Sequence, residues 1–362
     1  MPELLDGQPE LYRSFFPAFF RTTVPAETKA TCADCAMCEG STQNVVAPVD
    51  GVRRLFRPDT KCCTYHPRLP NFLVGALLAD PRPELAAGRA RVEAKLAHGA
   101  GVTPQWLRPP ARYDLVYKSA QDAFGRAAAL RCPYYEGEQG ACTIWPYREA
   151  VCSTFFCKYV AGADGRALWM SVKRYLSLAE AQLSRYALFK VAPALILANG
   201  DQLPAATTPL GPEEVDDRPP PPKAYRELWG EWAGREAELY RRCATEVAAL
   251  TPDAFERLMG LDSDIHLAVL ARLHAGATAP ALPERPRLNP SLTVRWLADG
   301  SVALGFHSEY DALALPREAY LLLTEFRGAE TLAAVRQRLR DEHATDFADE
   351  MLVELHHHRI LI

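Results

Sequence analysis

The chain has 362 residues, with 41 Lys and Arg against 45 Asp and Glu, giving a net charge of −4 at pH 7. That length allows two or three domains with a sizeable core. The charge does not suggest a general nucleic-acid binder, and no uninterrupted apolar stretch approaches the ~20 residues of a membrane helix, so no membrane partner is expected. The opening MPELLDGQPELYRSFFPAFF lacks the basic region and apolar segment of a secretory signal. The expected compartment is the cytoplasm, where thiols stay reduced and hold metals more often than they form disulfides.

In chain order, three regions emerge. Residues 1–165 carry nine of the ten cysteines and read as an irregular metal-binding domain, with short helical stretches such as PELAAGRARVEAKLAHG. Residues 166–285 read as helical. Leu168, Val172, Tyr175, Leu176, Leu183 and Leu188 fall near helical spacing. A Pro-rich stretch from Leu203 to Lys223 reads as a loop or stiff linker. Helical pattern resumes in AYRELWGEWAGREAELYRRCATEVAAL, and again in TPDAFERLMGL, with Thr251 as N-cap and Pro252 at the first helical position. A second Pro-rich linker, ATAPALPERPRLNP, leads into residues 290–362.

There, LTVRWL and SVALGF alternate apolar and polar residues around Asp299-Gly300, which predicts a hairpin with a two-residue type I′ turn. Three helical segments follow. PREAYLLLTEF ends at Gly328, TLAAVRQRLRDEH starts from Thr331, and DFADEMLVELHHH has Asp346 and Asp349 at capping-box spacing. The terminal RILI is a candidate strand. A hairpin with three short helices is a small winged-helix-like unit. The expected fold class is α+β, mainly helical.

The cysteines are clustered as Cys32-x-x-Cys35-x-x-Cys38, the adjacent Cys62 and Cys63, and then Cys132, Cys142, Cys152 and Cys157. A C-x-x-C turn brings two sulfurs to one metal, and its backbone N–H groups stabilise thiolate charge. Three closely spaced ligands plus a remote one suit a ferredoxin-type cubane, whereas structural zinc more often takes two plus two. The triple spacing therefore favours an iron–sulfur cluster of 4Fe–4S type, with zinc as the alternative. In an extended segment Cys62 and Cys63 would point opposite ways, so that one of them reaches a given site. Gly137 and Gly140 favour a turn that brings Cys132 towards Cys142. Nine thiols suffice for two four-ligand centres with one spare, or for one centre and several core cysteines. Cys132, Cys142, Cys152 and Cys157 form a second group, which completes the first centre or builds another. The aromatics Tyr134, Tyr135, Trp145, Tyr147, Phe155, Phe156 and Tyr159 read as packing that shields a cluster from water.

The segment CPYYEGEQGACTIWPYREAVCSTFFC resembles the second half of the signature of the YkgJ-like cysteine-cluster family. Cys132, Cys142, Ile144, Trp145, Arg148, Cys152, Phe155 and Cys157 line up with it. TCADCAMCEG is similar to that family's C-x-x-C-x-x-C-C run, with Glu39 where its fourth cysteine stands. Glu149-Ala150 departs from its Arg-Pro, while Arg148 is retained. The resemblance covers about 130 residues and implies zinc or iron chelation, or an iron–sulfur centre. The more distant flagellin lysine methylase family shares a similar second half, which implies protein methylation as one possible chemistry.

Residues 290–362 resemble the PqqD-like family of peptide-recognition elements. The resemblance rests on the Asp299-Gly300 hairpin, on LPREAYLLLTEFRG, and on Leu355, Ile360 and Leu361 at the close. It implies capture of a peptide as an added strand at a sheet edge, beside a helix. DNA binding is the other use of a winged helix. The seven Arg, no Lys and twelve Asp plus Glu of this region, 7 − 12 = −5, argue against it.

His356, His357 and His358 are consecutive on a helix, so they make a poor chelate and read as its polar end. His66 reads as a solvated or hydrogen-bonded histidine rather than a ligand, and Cys243 as a buried structural cysteine. No Walker loop and no G-x-G-x-x-G supports nucleotide binding, and no catalytic residue is assigned. The leading expectation is a cytoplasmic iron–sulfur protein that modifies a peptide or protein by redox or methyl-transfer chemistry. The competing class is a non-enzymatic zinc-stapled adaptor.

Overall fold

The computed structural model describes residues 1–29, 31–38, 55–137, 140–199 and 216–362. Glu39 and residues 203–215 of the Pro-rich stretch lie outside the described residues. The protein is mainly helical with small antiparallel sheets, an α+β class. Among the described residues no helix is long and apolar enough to cross a membrane.

The long helix α5 (Gly162–Val191) organises the larger core. The six apolar residues expected at helical spacing are all buried along it. Against α5 pack α1 (Asn71–Ala79), α8 (Glu236–Ala248) and α9 (Pro252–Thr278), and α1 packs closely on α8. Helix α1 is apolar on nearly every side and is accordingly interior. Its Gly75 permits a close helix crossing, because a Cβ there would lie 1.8 Å from the Tyr240 carbonyl oxygen on α8. Cys243 is fully buried on α8, as a small core residue. Thr251 caps α9 by accepting from Ala254 N at 3.3 Å.

The N-terminal turns add an aromatic wedge. Tyr12 stacks on Phe16 at 4.5 Å, and Phe16 on Phe255 of α9 at 5.0 Å. The N-terminal segment and the helical middle thus share one core, and the division at residues 165/166 falls inside α5. Four shorter helices complete this part: α2 (Ala86–His98), α3 (Ala111–Ser119), α4 (Ala150–Thr154) and α6 (Pro193–Asn199). Lys223, at the end of the expected linker, already belongs to α7 (Pro222–Trp229). Two-residue strands pair as β1 (Leu69–Pro70) with β2 (Trp106–Leu107), and β3 (Tyr135–Glu136) with β4 (Ala141–Cys142).

The C-terminal unit has its own core, built from Val302, Leu304, Leu315, Leu323, Leu339, Leu355 and their neighbours. Its sheet runs in the order β5 (Thr293–Trp296), β6 (Val302–Gly305), β7 (Leu313–Leu315), all antiparallel. The expected two-residue type I′ turn is instead a three-residue loop. Leu297 N donates to Ser301 O, Gly300 N donates to Leu297 O, and φ is positive at Gly300 but not at Asp299. That is a type I turn closed by a left-handed glycine, which Asp-Gly suits equally well. Three helices follow: α10 (Arg317–Leu323), α11 (Leu332–His343) and α12 (Asp349–His357). Thr331 caps α11. Asp346 does not cap α12, because Arg336 and Arg340 clamp its carboxylate and Ala348 stands at the cap. The chain terminus pairs as a strand would, with Asn289 N donating to Ile360 O and Arg287 N to Ile362 O.

Candidate metal centre

The thiols sit on loops and short elements between the two cores. Cys32, Cys35 and Cys38 line a turn in which Cys38 N donates to Cys35 O. Cys38 is bridged to Phe56, whose N–H donates to Met37 O. Cys62 and Cys63 lie in a run of turns rather than in an extended segment. Thr60 and Thr64 anchor that run to the backbone of Gly125. The two adjacent thiols therefore do not point opposite ways, and they are in hydrogen-bond contact with each other. Cys62 packs with Met37, Cys38 and Phe56, whereas Cys63 packs against the larger core.

Cys132 N donates to Cys63 O at 2.7 Å, and Cys142 pairs with Tyr135 across β3 and β4. Lys61 ties the loops together, donating to the carbonyls of Cys32 (2.5 Å) and Gly140 (2.9 Å). Cys152 lies on α4, whose first turn is capped by Glu149 accepting from Val151 N and Cys152 N.

Electrostatic neighbours sort the thiols into two adjoining groups. Cys157 faces Cys62, Cys35 and Cys38 rather than the cysteines nearest to it in sequence. Cys32 faces Cys62 and Cys35. These five form the first group. Cys132, Cys142 and Cys152, with Cys63 beside them, form the second, and the two groups meet where Cys142 also faces Cys32 and Cys62 and where Cys63 touches Cys62. Arg148 lies between the groups, next to Cys142, Cys152, Cys32 and Cys62. Its guanidinium stacks 3.3 Å over the Trp145 ring and donates to the carbonyls of Trp145 and Cys152.

The donor set suits thiolate ligation. The backbone N–H of Met37 points at the Cys35 sulfur, those of Tyr134 and Tyr135 at Cys132, and that of Ile144 at Cys142. Such bonds, with Arg148, offset the charge of several thiolates gathered in a poorly hydrated place. Without an ion, burial dominates and pushes the thiols up, Cys32 to about 11 and Cys38 and Cys132 to about 12.

The aromatic shield is partial. Tyr134, Tyr135 and Tyr159 are buried, while Trp145 and Phe155 are exposed at 47% and 37%. A cleft of about 670 Å3 opens beside Trp145, Tyr147 and Gln8. His66 stacks on Tyr113 at 3.7 Å and its Nε2 lies 3.0 Å from Arg131 O, which makes it a packing residue.

The three consecutive histidines depart from the sequence expectation. They are not simply a polar helix end, since His357 and His358 are buried where the C-terminal unit meets α5. As consecutive helical residues they do diverge. His356 Nδ1 contacts Leu361 O, His357 Nδ1 contacts Asp164, and His358 faces His307. His307, Asp311 and His358 bring one ligand atom each within 4.8 Å of one another, and they are the one such trio of His, Cys, Asp or Glu among the described residues. Sequence reasoning missed this trio. His307 and Asp311 have a visible i, i+4 spacing, but they lie in a loop, and His358 is remote in the chain.

No family model, no curated protein and no solved structure matches this chain.

Proposed function

We propose that the protein holds iron–sulfur clusters of 4Fe–4S type, one in each cysteine group, and acts on a peptide or protein bound by its C-terminal unit. The observation that carries this reading is the gathering of nine thiols into two adjoining groups that meet beside Arg148, with backbone N–H groups aimed at the sulfurs of Cys35, Cys132 and Cys142. Spacing adds support. One tetrahedral zinc, with Zn–S near 2.3 Å, would hold its sulfurs about 3.8 Å apart. Among the described residues no three cysteine sulfurs lie within 4.8 Å of one another, which leaves room for a larger centre. A bound cluster would supply an electron-transfer or Lewis-acid centre. The chain's own residues anchor it, offset its charge through Arg148 and exclude water with Tyr134, Tyr135 and Tyr159.

Peptide capture rests on β5. It is an edge strand with Val294 and Trp296 exposed, beside exposed Leu321 on α10, and Trp296 packs edge-on against Tyr320. A strand at the edge of its sheet among the described residues, flanked by apolar side chains, favours strand addition. The redox or methyl-transfer step on the captured chain belongs to this same proposal.

A zinc-stapled adaptor is the second reading. It is favoured by the two-residue strands around the cysteines, which supply little structure of their own. Anaerobic purification followed by iron, sulfide and zinc analysis separates the two. About four or eight irons per chain, with matching sulfide and broad visible absorption, supports the clusters. Colourless protein carrying only zinc bound to sulfur overturns them.

A further inference from the structure

The His307, Asp311 and His358 trio lies outside both cysteine groups. His307 and Asp311 stand in the loop joining β6 to β7, and His358 directly follows α12. His307 Nε2 is 3.0 Å from Asp311 Oδ2, and the two imidazole centroids are 5.5 Å apart. The side chains of His307 and Asp311 are 5% and 4% exposed, and His358 is 3% exposed. Among the described residues His358 Nε2 has no hydrogen-bond partner in this buried pocket, while His307 turns its Nε2 to Asp311 and leaves its Nδ1 on the far side of the ring. An unsatisfied nitrogen such as His358 Nε2 in a small buried cluster is unusual, since buried polar atoms are nearly always paired.

Hydrogen bonding inside the trio does not resolve this. Asp311 Oδ2 already accepts from Tyr159 N at 3.1 Å as well as facing His307. Lys158 approaches Asp311, and Lys29 approaches His358. Glu27 also lies near Asp311, and burial pushes its carboxyl up to about 7. The two lysines oppose a loosely held cation, so an ion here needs direct ligand bonds. Two imidazoles and one carboxylate provide those for zinc and similar first-row divalent ions, leaving a fourth position for water.

We infer that His307, Asp311 and His358 form a binding site for one divalent transition ion of the zinc class, separate from the cysteine centres. The site fastens the C-terminal unit to the cysteine region. Asp311 reaches the backbone of Tyr159, two residues beyond Cys157, and His358 is flanked by Gly162 at the start of α5. A side chain at Gly162, whose φ is +48°, would meet the His358 ring at 2.8 Å.

The test uses the untagged full chain with its cysteine centres as purified. The protein is incubated with Zn2+, desalted and analysed for zinc, iron and sulfide, alongside His307→Gln, His358→Gln and Asp311→Asn. The expected result is about one more zinc per chain in wild type than in each variant, with iron and sulfide unchanged. Equal zinc in wild type and all three variants overturns the site. Zinc-edge X-ray absorption on wild type alone decides the matter if the variants do not fold. A nitrogen and oxygen shell supports the site, and a shell of sulfur only overturns it.

Discussion

The cysteine region and the C-terminal unit solve the same problem in different ways. The C-terminal unit closes around aliphatic side chains from three strands and three helices. Around the cysteines, the first group has only a small apolar cluster of Met37, Cys38 and Phe56, joined by turns and side chain to carbonyl ties. Burying apolar surface stabilises the first kind of structure without help. The second kind gathers candidate ligands, and its order would depend on what they hold. The thiols thus stand where the chain has invested least in packing.

Removing metal should break the comparison open most widely. Hydrogen exchange on the full chain after chelation should show the segments 31–38, 55–65 and 132–157 losing protection, while the amides of β6 and α11 keep theirs. Equal loss in both regions would show that the C-terminal core is not independent. Leu355→Ala should produce the converse. Emptying that fully buried position should cost about 2–5 kcal/mol in a denaturant titration of the C-terminal unit. Iron and sulfide content should stay unchanged.

Arg148→Ala gives the finest discrimination. Arg148 lowers the pKa of Cys32, Cys62 and Cys142 against the larger upward push of burial. Thiols raised towards 11–12 are protonated in the metal-free protein at neutral pH, so metal loading must expel protons and weakens as pH falls. Loss of one nearby cation should move the pH of half-loading upward by about one unit. Metal retained after dialysis across a pH series reads this shift, and a superimposable curve would remove Arg148 from its role.

What the sequence revealed and what it hid have separate physical causes. The buried stripe of α5 and the caps Thr251 and Thr331 follow from local periodicity and backbone donors, so they were legible. The metal-like grouping of cysteines was legible from the C-x-x-C turns. The pairing of Cys157 with Cys35, Cys38 and Cys62 was not, because it depends on how the chain returns after α4. The Asp346 clamp was hidden for a similar reason, as Arg336 and Arg340 come from a different helix. His307, Asp311 and His358 meet only once two parts of the C-terminal unit have folded together, and no spacing rule connects residues 47 apart in sequence.

One consequence concerns distance. Cys62 and Cys63 serve different groups from consecutive positions on a single turn. Across a trans peptide, neighbouring Cα atoms stand about 3.8 Å apart whatever the surrounding helices do. Were each group to hold a centre, their separation at this turn would be a covalent ruler rather than a packing distance. Breathing of the fold can tilt the two groups relative to each other, yet it cannot draw them apart at this shared turn.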